Sequence, residues 1–403
     1  MDKSIVSVLL RFSRDKTGER CSMQRRSFLK GAGVVTVVVV SGGVWRACDQ
    51  GVFSVGEGPA YQPWKDWRKD SNDGALGLVR SAILAASPHN TQPWFFRVQP
   101  SRIEVMSDTS RNIGTVDPLL REMHIGIGCA LENLMLAAAA HGYACKLTLN
   151  ENDPALAVAD LTPAATAKPA LFDAIGSRHT NRGAYDTTRA IDADVMNALQ
   201  QLGDDERVRV IWFSAPADRA RFGDVIIQAT EAFVADPDQS RDSARWLRNG
   251  TDEIEAHRDG LTIYMQGLSP FMVIAARVIP VSAARADQYW LSATREQHVG
   301  TASAFGLIVA PDHRSNVYRM KTGMLWQRMQ LWATAHGLAM QPLNQPIERA
   351  EREESADFAP LFGNALNQLI GDRRAQPLMA FRIGYPTRDP GMSPRRSVED
   401  VVI

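Results

Sequence analysis

The sequence predicts a mixed fold of helices and strands, α/β or α+β, built from two related halves. Helical and strand-like hydrophobic patterns alternate from about Ser71 onward. Two long helices are expected, one over approximately 121–141 and one over approximately 321–336. Gly142 and Gly337 follow them directly, where a left-handed residue commonly ends a helix.

The two helices also resemble each other in sequence. A shift of 195 positions aligns Gly128 with Gly323 and the string Ala-x-Ala-His-Gly-x-Ala at 138–144 with the same string at 333–339. Part of this match reflects the abundance of alanine, but the shared His-Gly pair is more specific. We therefore predict one half over 71–165 and a second over 166–403, divided near the Pro/Ala/Thr-rich segment Thr162–Pro169.

Charge and cysteine content restrict the function classes. Lys plus Arg and Asp plus Glu each total 45 of 403 residues, so the formal net charge is zero. This balance argues against a broad nucleic-acid or anionic-membrane surface, although a local basic pocket for one phosphate remains compatible with it. Cys129 and Cys145 lie in apolar stretches and are expected to be small buried side chains, and a disulfide between them stays open.

The first 48 residues have the pattern of an export signal. Arg25-Arg26-Ser27-Phe28-Leu29-Lys30 fits the twin-arginine motif, and the uncharged stretch Gly31–Val44 follows it. That stretch has 14 residues, whereas a membrane-spanning helix needs about 20. We expect the twin-arginine translocase to deliver the chain to the periplasm or another extracytoplasmic compartment, with residues 49–70 as a tether. Met23 as the true start and lipidation of Cys48 stay open as alternatives.

The most distinctive polar string is Ser87-Pro88-His89-Asn90-Thr91-Gln92-Pro93-Trp94. Asn90 and Gln92 offer paired hydrogen-bond donors and acceptors, which suit the edge of a planar heterocycle. An ordinary turn would use the same residue types, so residue chemistry alone does not decide between the two interpretations.

Two further strings are basic. Arg178 and Arg182 flank Thr180, a cluster suited to holding a phosphate through charge-assisted hydrogen bonds. A solvated helix face is the alternative interpretation. Arg395 and Arg396 form a third basic element near the C-terminus, within Pro394-Arg395-Arg396-Ser397-Val398-Glu399-Asp400-Val401-Val402.

The order of these three strings resembles that of FMN-dependent nitroreductases, in particular the exported or dormancy-associated Acg-like branch. The resemblance covers about residues 75–403, and Ala-Ser-Pro-His-Asn-Thr-Gln-Pro-Trp is its most specific part. It implies an α+β, nitroreductase-like fold in which two related halves are fused as an internal pseudo-dimer, so the chain is expected to act as a monomer. It also implies FMN as the cofactor.

The resemblance assigns site residues position by position. It implies phosphate and ribityl contacts for Arg178, Thr180 and Arg182, and phosphate contacts for Arg395 and Arg396. It implies that Ser87, Asn90 and Gln92 reach the flavin ring. Gln341-Pro342-Leu343 is a weaker match near the ring, and His89 is a departure that would narrow or tune access.

The implied activity is that of an FMN-dependent oxidoreductase, which passes electrons from NAD(P)H or another donor to a small quinone-like or nitroaromatic-like acceptor. Neither a catalytic side chain nor a metal ligand stands out, and a complete GxGxxG, a P-loop and HExxH are absent from the sequence. A flavin-sequestering protein without nicotinamide turnover is the main alternative, with Asp236–Asp259 and Gly267–Gln288 as candidate covers. A lipidated surface protein with a degenerate site is a third.

Overall fold

A computed structural model of the chain describes residues 56–68, 74–152, 154–269, 272–273 and 282–403. The predicted signal, residues 1–48, and the first part of the predicted tether lie outside the described residues. The described residues other than Ser269, Met272 and Val273 belong to one unit of mixed helices and strands, as predicted.

The elements are numbered here in chain order. The α-helices are α1 Pro63–Asp66, α2 Ala75–Ala82, α3 Arg121–Ala140, α4 Ala193–Gln200, α5 Pro216–Ala235, α6 Pro237–Ala244, α7 Thr251–His257, α8 Ala283–Ala293, α9 Asn316–Ala335, α10 Gln345–Ser355 and α11 Leu361–Ile370. The strands are β1 Trp94–Gln99, β2 Arg102–Ser107, β3 Tyr143–Leu149, β4 Ala155–Pro163, β5 Arg209–Phe213, β6 Leu247–Arg248, β7 Leu261–Thr262, β8 Ala304–Ala310, β9 Ala339–Pro342 and β10 Gln376–Gly384.

Two four-stranded sheets have the same internal arrangement. The first has the order β1-β2-β4-β3 and the second β5-β8-β10-β9, and every neighbouring pair in both is antiparallel. In each sheet the third strand in sequence order lies at an edge, and it follows a 20-residue helix, α3 or α9. One apolar core contains residues of both sheets and both helices, including Trp94, Leu131, Trp326 and Phe381.

Helices α3 and α9 cross in direct backbone contact. A Cβ on Gly128 would overlap the carbonyl oxygen of Met320, and a Cβ on Gly323 would overlap that of Ile125. Side chains at the crossing show the same reciprocal arrangement. Arg328 of α9 pairs with Glu132 of α3 at 2.7 Å, and Gln327 of α9 donates to Asn133 of α3 at 2.9 Å. The bounds of the two helices differ by the same 195 positions as the sequence repeat.

Helix α9 begins five residues before the predicted start at Lys321. Its first turn is Asn316-Val317-Tyr318-Arg319, whose mixed composition does not extend the hydrophobic periodicity clearly. Ser315 accepts a hydrogen bond from the Tyr318 backbone N–H at 3.2 Å and caps the helix. Gly142 and Gly337 have φ angles of 79° and 71°, which confirms that left-handed residues follow both helices.

Helix α3 is an interior helix. Its length and hydropathy alone would allow it to cross a membrane, but 78% of its most apolar window is buried inside the protein. Its burial on several sides follows from its position between α9, α2 and the first sheet.

The described part of the predicted tether is packed rather than extended away from the fold. In residues 56–68, which we call the N-terminal strap, the side chains of Tyr61, Trp64 and Trp67 are buried. Trp67 lies 5.2 Å from Phe172 between ring centroids. The glycines and prolines of this stretch suggested a linker, but its aromatic residues supply enough apolar surface to dock it.

Buried charges surround the first turn of α3. Arg121 donates to Glu351 at 3.0 Å and to Glu122 at 3.1 Å, and its side chain is fully buried. Burial raises the pKa of Glu351 to about 7, although the charge of Arg121 opposes this shift. Burial also raises the pKa values of Glu122 and Glu348.

The C-terminal segment forms little regular secondary structure. Val402 makes an isolated parallel bridge to Phe96 at the edge of β1. The Phe96 N–H donates to the Val401 carbonyl at 2.9 Å, and the Ile403 N–H donates to the Phe96 carbonyl at 3.0 Å. This short pairing anchors the segment that carries Arg395 and Arg396 beside the loop before β1.

Candidate functional site

The loop at 87–92 has a strained backbone. His89, Asn90 and Gln92 have φ angles of 45°, 57° and 54°, in a region that residues other than glycine rarely adopt. Each such residue costs on the order of 1–3 kcal/mol, and such strain is concentrated at functional sites. Ser87 supports the loop, since its Oγ accepts a hydrogen bond from the Gln92 N–H at 3.0 Å.

The loop amides bind two other segments of the chain. Asn90 Nδ2 donates to the Pro394 carbonyl at 2.9 Å and to the Gly260 carbonyl at 3.1 Å, and Asn90 Oδ1 accepts from Arg395. Gln92 Nε2 donates to the Arg258 carbonyl at 2.9 Å, and Gln92 Oε1 accepts from the Arg396 N–H at 2.8 Å. In this conformation the loop therefore faces protein, and its amides are already hydrogen-bonded.

Arg178 and Arg395 form a buried pair of like charges, each only 2% exposed. Both donate to the Leu84 carbonyl oxygen, Arg178 at 3.0 Å and Arg395 at 3.4 Å, and Arg178 also donates to Gln330 Oε1 at 3.1 Å. Neither pairs with a carboxylate of the described residues, and both Nε atoms are buried without a partner among them. Burial lowers the pKa of Arg178 to about 10 and holds that of Arg395 well below its usual value.

Uncompensated buried charges of this kind are unfavourable by several kcal/mol each unless an anion pairs with them. The pair therefore has the charge and the free donors that an anionic ligand requires. This is the strongest electrostatic feature of the site.

His179 lies beside the Arg178–Arg395 pair. It was not identified as a site residue from the sequence. Burial, followed by the charges of Arg178 and Arg395, lowers its pKa to about 3, so the ring is neutral at pH 7. Its Nδ1 is buried and has no hydrogen-bond partner in the part of the chain that the structure describes. Its position directly after Arg178 was the only sequence feature that could have indicated a role for His179 in the site.

Arg182 points to a different group of residues than Arg178. It donates to the Met265 carbonyl at 3.3 Å, and its charge lowers the pKa values of His89 and His298 in addition to the larger effect of burial. The pKa of His89 falls to about 4. Thr180 is half-buried between the two arginines in sequence. The motif therefore contributes to two adjacent positive regions rather than to one.

Arg382 belongs to this second region and was also missed. It is fully buried, donates to the Gly183 carbonyl at 2.7 Å and to Gln341 Oε1 at 2.8 Å, and lies 3.8 Å from the Tyr185 ring centroid. Arg382 thus fixes the backbone that follows Arg182. Arg382 lies within an otherwise mostly apolar strand, and nothing in the sequence indicated this role.

Arg396 differs from the expectation of a phosphate contact. It donates to the Gln92 carbonyl at 3.1 Å and to the Asp400 carbonyl at 2.6 Å, and its guanidinium lies 5.4 Å from the Phe95 ring centroid. These contacts hold the C-terminal segment against the loop. Arg396 is therefore a support for the loop in this conformation and stands apart from the Arg178–Arg395 pair.

Two cavities flank this region. One of about 620 Å³ lies between the N-terminal strap, Arg80 and residues 397–399. The other, of about 390 Å³, is lined by Arg111, Arg258, Arg396 and Asp400 among others. Neither is lined by Arg178 or Arg395. No group of His, Cys, Asp and Glu residues suited to a metal ion occurs among the described residues, and Cys129 and Cys145 are free thiols.

Comparison with known proteins gives sequence relatives over most of the chain. Two Mycobacterium tuberculosis proteins, named "Putative NAD(P)H nitroreductase MT3217" and "Putative NAD(P)H nitroreductase Rv3131", are each 28% identical to it over 342 residues. The match covers 81% of this chain and 90% of each relative. This similarity supports placing the chain in the nitroreductase superfamily. No protein-family model matches it.

Solved nitroreductases are more distant. The FMN-dependent nitroreductase NfnB from Mycobacterium smegmatis in complex with NADPH is 16% identical, with a TM-score of 0.35 and coverage of 56% of this chain and 93% of its own. A nitroreductase with bound FMN from Bacteroides fragilis is 13% identical, with a TM-score of 0.33 and coverage of 57% and 95%. Both TM-scores are low, so these similarities assign no property to this chain.

Proposed function

We propose that this chain is an FMN-dependent oxidoreductase of nitroreductase type, which passes electrons from NAD(P)H or another donor to a small quinone-like or nitroaromatic-like acceptor. The observation that carries the proposal is the buried Arg178–Arg395 pair, which has unsatisfied N–H donors and no carboxylate partner among the described residues. A phosphate monoester supplies the missing negative charge and acceptor oxygens.

The residues that would hold FMN come from three separated segments. Arg178, Arg395 and neutral His179 would bind the phosphate, since both guanidinium groups meet at the Leu84 carbonyl, both arginine charges act on His179, and each of the three side chains has a buried nitrogen without a partner among the described residues. Arg182 and Arg382 would provide positive charge next to this site, where it favours an anionic form of the ligand. Ser87, Asn90 and Gln92 would approach the ring after exchanging some of their present contacts, and Thr180 lies within the same motif.

Flavin would supply the hydride and electron transfer, and the protein would bind and tune it. The chain's own contribution is electrostatic, because its buried cations remain positively charged at neutral pH even after burial lowers the pKa of Arg178 and Arg182 to about 10. Buried histidines of low pKa stay neutral there and add no charge. We assign no general acid or base.

The proposal includes an internal pseudo-dimer with one FMN between its halves. The identical strand orders of the two sheets and the reciprocal contacts of Gly128 and Gly323 support it. The loop at 87–92 belongs to the first half, whereas the motif at 178–182 and Arg395 belong to the second. A site that needs both sets can form once per chain, which also favours a monomer.

A second candidate function is flavin sequestration without nicotinamide turnover. Its specific support is the cover over the loop amides, since Arg258 and Gly260 accept hydrogen bonds from Gln92 and Asn90. Asp259 fixes this cover through ion pairs with Arg111 and Arg248, both at 2.8 Å. These contacts lie at the end of the predicted cover Asp236–Asp259.

One experiment distinguishes the two functions. Purified, FMN-loaded protein is mixed anaerobically with NADH or NADPH, and the flavin absorbance is followed before a quinone or nitroaromatic compound is added. Bleaching followed by recovery supports the oxidoreductase. Bleaching by dithionite but by neither nicotinamide supports sequestration. A protein that binds no FMN would refute both.

The Acg-like assignment and twin-arginine export form part of the proposal. The order of the three polar strings and the Arg25-Arg26 motif support them. Export by the twin-arginine translocase would carry the folded chain, with its cofactor, to the periplasm or another extracytoplasmic space. The route thus fits a protein that must take up its cofactor before it is exported.

A further inference from the structure

The N-terminal strap, residues 56–68, packs against Arg395 and His179. The Trp64 ring centroid lies 4.9 Å from the Arg395 guanidinium carbon and 4.4 Å from the His179 ring centroid. Trp64 is 7% exposed. One side chain therefore covers two of the three groups that we assign to the phosphate.

The strap is fixed to the C-terminal segment by its own hydrogen bonds. Trp64 Nε1 donates to the Ser393 carbonyl at 2.7 Å, and the Arg395 backbone N–H donates to the Ala60 carbonyl at 2.7 Å. The Ala60 N–H in turn donates to Glu255 at 2.9 Å. The strap is therefore hydrogen-bonded to Arg395, whose side chain would bind the ligand. A change in the strap is expected to affect the ligand site directly.

We propose that Trp64 is a specificity-determining residue that selects a phosphate-bearing flavin, an inference that rests on the proposed function. By covering Arg395 and His179, Trp64 excludes water from them, which strengthens their attraction for a phosphate dianion. The Trp64 ring also orients the Arg395 guanidinium through a cation–π contact. A flavin without phosphate gains from neither effect.

The test compares FMN with riboflavin, which has the same ring but no phosphate. Full-length wild-type protein and Trp64→Ala are loaded with each flavin, and dissociation constants and release rates are measured by flavin fluorescence. We expect Trp64→Ala to weaken FMN and speed its release by about tenfold or more. Riboflavin affinity should change by less than about threefold.

Two further variants keep the test independent of folding. Trp64→Phe retains the ring but not the Nε1 donor, so it should keep most of the preference for FMN. Trp332→Ala removes a half-buried tryptophan that stacks on His336 at 3.8 Å, and it should leave that preference unchanged. Melting temperatures of the ligand-free proteins show whether Trp64→Ala perturbs the fold more than this control.

The possible results distinguish a failure of the role of Trp64 from a failure of the proposed function. Equal weakening of FMN and riboflavin, or unchanged FMN binding in Trp64→Ala, would overturn the role of Trp64 while leaving the proposed function intact. A wild-type protein that binds neither flavin would overturn the proposed function and this role with it.

Discussion

Arg178 and Arg395 donate hydrogen bonds to one acceptor, the carbonyl oxygen of Leu84, although one follows the first sheet and the other lies near the C-terminus. This shared acceptor is neutral, so the positive charges of the two guanidinium groups are not compensated by it. The shared acceptor brings together two segments that are distant in the sequence, those of Arg178 and Arg395. A phosphate between them would relieve their repulsion.

Replacing Arg178 with alanine should weaken FMN binding by roughly ten- to more than a hundred-fold. The physical reason is the loss of one charge-assisted contact, typically worth about 1.5–3 kcal/mol. Fluorescence titration of the ligand-free protein with FMN measures the effect. Arg374→Ala is the control, because its side chain is 92% exposed. An Arg178→Ala protein that keeps its full flavin load through dialysis would show that the phosphate assignment is wrong.

The crossing of α3 and α9 should tolerate no side chain at its two glycines. Gly128→Ala or Gly323→Ala places a Cβ on a backbone carbonyl oxygen, so each should lower the free energy of unfolding by about 1–3 kcal/mol or more. Gly363→Ala is a matched control on α11, where the nearest atom to a new Cβ is 3.8 Å away. That change should be neutral or stabilising by up to about 1 kcal/mol. Equal effects of the three in denaturant unfolding would contradict the crossing.

The contribution of Glu351 to stability should fall as pH rises from about 4.5 to 7. Burial raises the pKa of its carboxyl group to about 7 from the usual 4.5, so the folded protein retains a proton that the unfolded chain has released. The stabilisation from protonated Glu351 is complete below pH 4.5 and lost above 7, and amounts to about 3 kcal/mol.

Glu351→Gln should remove this contribution, so the difference in the free energy of unfolding between wild type and the variant should change by about 3 kcal/mol between pH 4.5 and 7. The comparison is made as a difference because other buried groups add their own pH dependence: burial raises the pKa values of Glu122 and Glu348 and lowers those of His89 and His179. Glu354→Gln, on the same helix but half-exposed, should leave the profile unchanged. A difference between wild type and Glu351→Gln that does not change with pH would refute the assignment.

Export should depend on Arg25 and Arg26. Replacing both with lysine keeps the charge but removes the motif, so the precursor should accumulate in the cytoplasm. Cell fractionation followed by immunoblotting measures this distribution, and a Lys3→Arg variant outside the motif serves as the control. Normal export of the double variant would exclude the twin-arginine route.

Much of the architecture was accessible from sequence because it depends on periodicity and on a repeated pattern. Gly128 and Gly323 stood out in the alignment of the two helices, and the structure gives the reason, since each lies against the other helix's backbone. The loop at 87–92 and the motif at 178–182 were recognisable from short-range chemistry. The convergence of Arg178 and Arg395 on the Leu84 carbonyl could not be derived, because long-range packing determines it.

The residues that were missed act through tertiary contacts. Trp64 lies in a stretch whose glycines and prolines indicated a tether, and His179 and Arg382 acquire their roles from neighbours far away in sequence. Arg396 was expected to contact the phosphate together with Arg395, and in this structure it donates to the Gln92 carbonyl. Sequence spacing alone could not separate the two roles.

The flavin content of the purified chain tests the central claim most directly. After reconstitution with excess FMN and removal of unbound ligand, the visible absorbance and the protein concentration give the stoichiometry, and mass spectrometry of the released ligand identifies it. We predict one FMN per chain, held between the two halves. Two flavins per chain, or none retained, would contradict the account.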